Sequence, residues 1–163
     1  MNWVLFWLFL HVAAAIIAFG PTFAFPFIGA AAARNPQMGH FAAELNHKLE
    51  RGLVLPVALT MAVSGIGLIV ASGRNLTQSP WLGAGIILYI IAVSIAAFVI
   101  IPNTGKLVEA TAGGPPGGGP PAGAPAAPPP HIAAMIKKNQ VGGGILTLLL
   151  ITIIFLMVVK PGG

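Results

Sequence analysis

The sequence predicts an all-α membrane protein, a bundle of four transmembrane helices with a kinked first helix. Three observations carry this. Of 163 residues, 56% are hydrophobic and 7% are charged, with a mean hydropathy of +0.91; a soluble globular domain holds about a quarter of its residues as charges. Four stretches each reach the roughly 20 apolar residues needed to cross the hydrocarbon layer. The few Lys and Arg residues flank those stretches and stay out of them.

The first stretch has no charge from Trp3 to Ala33, and the span is set at residues 3–28. It has no Lys or Arg before its apolar run and is longer than a secretory leader, so it reads as a retained span. Pro21 and Pro26 interrupt its hydrogen-bond ladder, which places a kink near Gly20. Phe19, Phe23 and Phe27 recur there at helical spacing and read as packing or lipid-facing aromatics rather than contacts to a pigment or quinone. The second span covers residues 52–71, the third 81–101 and the fourth 141–159.

Orientation follows from the retention of Lys and Arg on the cytoplasmic side. Arg34, Lys48 and Arg51 lie in the first connection and Lys106, Lys137 and Lys138 in the third, against only Arg74 and Lys160 on the opposite side. Both termini are therefore expected outside, with loops 34–51 and 102–140 in the cytoplasm. Trp3, Trp7 and Trp81 then gather at the outer interface, where amphipathic rings belong. The expected location is a bacterial inner membrane.

The basic excess, eight Lys+Arg against three Asp+Glu, is thus a topology signal and not a nucleic-acid surface. With no cysteine, disulfides, thiolate metal sites and cysteine nucleophiles are excluded. No nucleophile is accompanied by a base and an orienting acid, and no phosphate-binding glycine loop is present, so hydrolytic chemistry has no support. Asn75-Leu76-Thr77 matches a glycosylation sequon but lies almost against the membrane and reads as a chance pattern. Residues 113–130 are only Pro, Gly and Ala, a composition without apolar mass to bury, and are expected to form a flexible tether or a docking strand against a partner.

An ionisable residue inside a membrane is a candidate site by default, and His11 is the one read as such. At about 1.5 Å of rise per residue, His11 and Tyr89 each lie roughly 12 Å below the outer boundary, with Met61 and Thr152 approaching from the other side. These four residues are expected to form a polar layer. The layer has two readings: His11 bonds Tyr89, Thr152 or a backbone carbonyl and locks the bundle, or His11, Met61 and Tyr89 hold haem b or copper. The other histidines are placed in cytoplasmic loops, which removes bis-histidine ligation. A second cluster, His40, Glu44 and His47, shares a helix face and is a weaker metal candidate; Glu44 paired with Lys48 at i,i+4 is the simpler account. Gly142-Gly143-Gly144 and the spacing of Ala58, Ala62 and Gly65 read as close-packing helix surfaces.

Phe9-Leu10-His11-Val12-Ala13-Ala14 followed by Gly20, together with Arg51, Pro56, Ser64, Gly65 and Gly67, resembles an uncharacterised small bacterial integral membrane family related to the CopD/HemJ-like proteins. The resemblance runs from the N-terminus to about Ala110. It implies a four-helix bundle and, for His11, a role in haem or copper handling. The leading functional expectation is a non-catalytic structural or accessory subunit of a larger membrane complex, in contact with lipid and with other membrane subunits or copies of itself. The alternatives are a haem- or copper-binding protein and an oligomeric transporter.

Overall fold

A computed structural model describes residues 2–113 and 128–161. Among them 91% are helical and no strand occurs. Four rods account for the fold: α1 (Trp3–Arg34), α2 (Gly39–Ser72), α3 (Pro80–Thr111) and α4 (Pro130–Val159), each long and apolar enough to cross a membrane. At 30 to 34 residues the rods are about 45–50 Å long, well beyond the roughly 30 Å of a hydrocarbon layer. The 114–127 part of the Pro/Gly/Ala tract lies outside the described residues.

The rods start and stop where local chemistry permits. Asn2 caps α1 by accepting from the Val4 and Leu5 amides, and Pro80 and Pro130 open α3 and α4, where a missing N–H is harmless. Gly73 ends α2 in the left-handed region at φ 63°, a conformation glycine adopts without a Cβ penalty. Inside α1, a 3-10 turn at Gly20–Phe23 separates two α-helical segments, and the Thr22 hydroxyl donates to the Phe19 carbonyl at 2.6 Å. The expected break is therefore where Pro21 removes a donor, but the bend is only 19°. It is mild because Pro21 and Pro26 each sit in the first turn of a segment, where the ring meets no preceding carbonyl.

Two π turns were not expected. Glu50–Val54 widens α2 and Ala96–Ile100 widens α3. Each lies just upstream of a proline, Pro56 and Pro102, that cannot bond the carbonyl four residues back. The wider turn absorbs that defect and rotates the side chains beyond it.

Contacts fall in antiparallel register. At the end that carries the termini, α1 packs on α2 and α3 packs on α4; at the other end, the first half of α2 packs on the second half of α3, with α4 beside it. Within the segments read as loops 34–51 and 102–140, Gly39–Leu49, Ile101–Thr111 and the start of α4 are helical. The cause is a second small core, Ala43, Leu107 and Ile132 with Val108, Met135 and Ile136 against it, which extends the bundle past the most apolar stretches.

Lipid tails give no hydrophobic drive between helices, so close approach of small residues does the joining. Gly65 lies under the His11 ring, Gly67 under the Trp7 indole, Gly105 under the His47 ring, Gly85 against Met157 and Gly142 against Ile100. A Cβ on Gly67 would sit 2.6 Å from Trp7 Cε2. Gly67→Leu is expected to destabilise the α1–α2 pair by about 1–3 kcal/mol, read by detergent-induced unfolding. Gly20→Ala, where a Cβ meets nothing within 4 Å, is the control expected to leave stability nearly unchanged.

Candidate functional site

His11 is carried by α1 on the face that meets α2, between the buried Ala14 and Ala18 and the Gly67-supported Trp7. Its Nδ1 lies 3.1 Å from the Met61 carbonyl and 3.3 Å from Ser64 Oγ. Ser64 is 2% exposed and its hydroxyl donates to the same Met61 carbonyl at 3.0 Å. With the proton on Nδ1, His11 donates to Met61 and its tautomer is set by α2. Gly65 makes room for the ring, since a Cβ there would approach His11 Cε1 to 3.1 Å.

The other members of the expected polar layer separate. The Tyr89 hydroxyl reaches across from α3 and donates to the Ala58 carbonyl of α2, one turn from Met61 and not to His11. The Thr152 hydroxyl turns back on its own helix to the Leu148 carbonyl, 2.9 Å away. Met61 is buried and meets His11 through its carbonyl. His11 and Tyr89 thus each reach a backbone carbonyl on one stretch of α2, those of Met61 and Ala58. A hydrogen bond of this kind locks a bundle because a membrane offers no water to replace it.

The second predicted cluster does not converge. His40 Nδ1 contacts Thr111 Oγ1 of α3 at 3.1 Å. Glu44 pairs with Lys48 at 2.8 Å on the exposed side, an arrangement worth little in water. His47 lies over Gly105 of α3. Among the described residues, no group of three His, Cys, Asp or Glu side chains is placed to hold a metal. His40 and His47 lie in the first half of α2 and His131 near the start of α4.

A centre that sequence reasoning missed lies at the junction of α2, α3 and α4. Glu50 is 7% exposed, Asn103 7% and Thr104 2%. Asn103 Nδ2 donates to the Met135 carbonyl at 2.9 Å and to Asn139 Oδ1 at 2.7 Å. Asn139 Nδ2 donates to Thr104 Oγ1 at 3.0 Å, and the Thr104 hydroxyl donates to the Ile100 carbonyl at 3.0 Å. Glu50 faces Thr104. Three buried atoms here lack a partner: Asn46 Oδ1, His47 Nδ1 and Glu50 Oε2. Glu50 opens the π turn of α2, and Thr104 follows the π turn of α3 by one turn of helix. One signal was present in the sequence: Glu50 lies four residues from Asn46 and three from His47, spacings at which helix side chains are neighbours.

The fold and these buried polar groups define a multi-pass integral membrane protein with four candidate spans. The chain belongs to a family described as predicted integral membrane protein (DUF2269), which it matches over residues 5–161. This fits the uncharacterised membrane family resembled by the first two spans, and the match continues past Ala110 through the fourth helix. No curated protein and no solved structure matches the chain.

The Asn103–Asn139 bond joins α3 to α4. A double-mutant cycle of Asn103→Leu and Asn139→Leu, followed by detergent-induced unfolding, is expected to give a coupling of about 0.6–1.7 kcal/mol. Strict additivity would mean that the two amides do not support each other.

Proposed function

We propose that the chain is a non-catalytic accessory subunit of a larger assembly in a bacterial inner membrane. The observation that carries this reading is how little each helix buries within the chain. Only 11% to 17% of the residues in the most apolar stretch of each rod are buried. The second half of α1, Phe25–Arg34, has no buried residue, and Phe27 is 77% exposed. Faces of this extent are covered by lipid, by other membrane subunits or by further copies of the chain. The reading also draws on His11 and Tyr89, whose bonds tie α1 and α3 to α2 and leave them in a holding role.

The topology proposed with it places both termini outside. Trp81, at the terminal end, is 6% exposed and has the Arg74 guanidinium 5.6 Å and the Lys160 ammonium 5.8 Å from its ring centre. Cation–π contacts of this kind engage the only two cations on the proposed outer side, while the six others lie on the cytoplasmic side.

A tagged full-length chain extracted in mild detergent is expected to migrate on native gels as a complex with a second membrane polypeptide at constant stoichiometry. A monodisperse particle holding one copy and nothing else would contradict the accessory reading.

A second reading, haem or copper on His11, draws on the CopD/HemJ-like resemblance and on one contact. With Nδ1 engaged by the Met61 carbonyl, Nε2 is left to act as a ligand, the arrangement common for metal-bound histidine. His11 would hold the group through one ring nitrogen, and any further ligand would have to come from outside the groups that converge here. Bound haem would supply one-electron or oxygen chemistry, with His11 holding it and Met61 orienting His11. The expected outcome is Soret absorbance in the purified protein that His11→Ala abolishes; a colourless, copper-free wild type rejects it.

A further inference from the structure

We propose that the cavity beside Trp81, at the connection between α2 and α3, is a binding site for a phosphate group, with the Arg74 guanidinium as its principal donor. The proposal is independent of the accessory reading, since it concerns a polar cavity at the end of the rods and not their apolar faces.

The cavity measures about 480 Å³ and is lined by Ser72, Arg74, Asn75, Gln78, Ser79 and Trp81, a size within the range of small-molecule sites. Ser79 and Trp81 are buried, whereas Arg74, Asn75 and Gln78 are exposed. The connection is shaped by its own hydrogen bonds. Asn75 Oδ1 accepts from the Thr77 amide at 3.1 Å and from the Thr77 hydroxyl at 2.8 Å, and the Ser72 hydroxyl donates to the Ile69 carbonyl. With its oxygen engaged in this way, Asn75 is left with its NH2 as a donor. Ser79 precedes α3 without a side-chain capping bond. Among the described residues, the Arg74 guanidinium and the Gln78 amide are likewise free of hydrogen bonds and ion pairs within the chain.

Charge points the same way. The three acidic side chains, Glu44, Glu50 and Glu109, lie in the first half of α2 and the second half of α3, at the opposite end of the rods. Here the Arg74 guanidinium is 5.6 Å and the Lys160 ammonium 5.8 Å from the Trp81 ring centre, so two cations share one aromatic neighbour and no acidic side chain is in reach. A ring face attracts a cation but offers no lone pair to the five guanidinium N–H groups. Helix C-termini also favour nearby cations, which accounts for Arg74 after Gly73 and for Lys160 at the end of α4; it does not account for the uncharged donors around the same cavity.

Water can serve each of these donors singly. A phosphate brings negative charge and several acceptor oxygens at once, and its geometry matches the planar fork of arginine. Position adds to this. The chain carries no charge from Gly52 to Gly73, enough to cross the hydrocarbon layer, so Arg74 and the Trp81 ring stand at the level of the lipid headgroups.

A phospholipid headgroup and a soluble phosphate present the same chemistry, so the test has two arms. In the first, the full chain in maltoside detergent is incubated with phosphatidylglycerol or with diacylglycerol, which has the same tails and no phosphate, and bound lipid is counted by native mass spectrometry. One phosphatidylglycerol per chain is expected to be retained in preference to diacylglycerol. Arg74→Gln is expected to weaken that retention about tenfold, roughly the effect of one lost hydrogen bond to a charge. Arg34→Gln, an equal loss of charge at the opposite end, is expected to behave like wild type. Arg74→Lys keeps the charge without the fork and is expected to fall between wild type and Arg74→Gln, where a merely electrostatic surface would leave it unchanged. In the second arm, inorganic phosphate is titrated calorimetrically into the lipid-free protein. A preference for phosphatidylglycerol that Arg74→Gln removes assigns the lipid headgroup; saturable phosphate binding that Arg74→Gln removes, with both lipids retained alike, assigns a soluble phosphate. Equal retention of the two lipids without phosphate binding, or binding that Arg74→Gln leaves equal to that of Arg34→Gln, overturns the proposal.

Discussion

A hydrocarbon layer offers no hydrogen bonds, and the whole molecule is arranged around that constraint. Helices satisfy the backbone internally. Polar side chains inside the bundle must then find partners on neighbouring helices or on their own carbonyls. His11 takes the Met61 carbonyl, Tyr89 takes the Ala58 carbonyl, and Asn103, Asn139 and Thr104 form a closed set between α3 and α4. These bonds join the rods in order: α1 to α2, α2 to α3, α3 to α4. Small residues complete the same task by letting the chains approach, and a glycine lies beneath each of His11 and His47.

Against that background the exceptions are informative. Nearly all buried polar groups in a folded protein are paired, and here three unpaired atoms gather within Asn46–Glu50. The two π turns stand close by, one beginning at Glu50 and the other just before Thr104. Pro56 and Pro102 account for the irregular turns, and the irregular turns shape the face on which Glu50 meets α3. An irregularity in backbone bonding and a set of unpartnered side-chain atoms thus occur at the same junction.

Hydropathy made the number of rods legible, because no soluble fold tolerates four charge-free stretches of this length. The break at Gly20-Pro21 was legible for the same local reason that it exists, a missing donor. Helix lengths were not. Residues 39–49 and 101–111 look polar enough for loops, yet Ala43 and Leu107 bury against one another and Ile132 and draw those segments into the bundle. That is a tertiary effect invisible to a window of hydropathy. His11 was legible as a buried group because it is the only ionisable residue within its apolar run. Its partner was not, since a backbone carbonyl leaves no mark in sequence. Glu50 was overlooked because it precedes the charge-free stretch and sits beside Arg51, which faces outward. Neighbouring residues on a helix point about 100° apart, so an exposed Arg51 is no guide to the burial of Glu50.

The meeting of α2 and α3 at His47 and Gly105 underlies both the closed network and the unpartnered cluster beside it. The chain has no cysteine, so paired cysteines report that contact without background. His47→Cys combined with Gly105→Cys is predicted to be cross-linked in membranes by a short bifunctional thiol reagent more efficiently than Lys48→Cys combined with Gly105→Cys, because the His47 ring rests on Gly105. Equal cross-linking of the two pairs, or none in the first, would contradict the arrangement of helices described here.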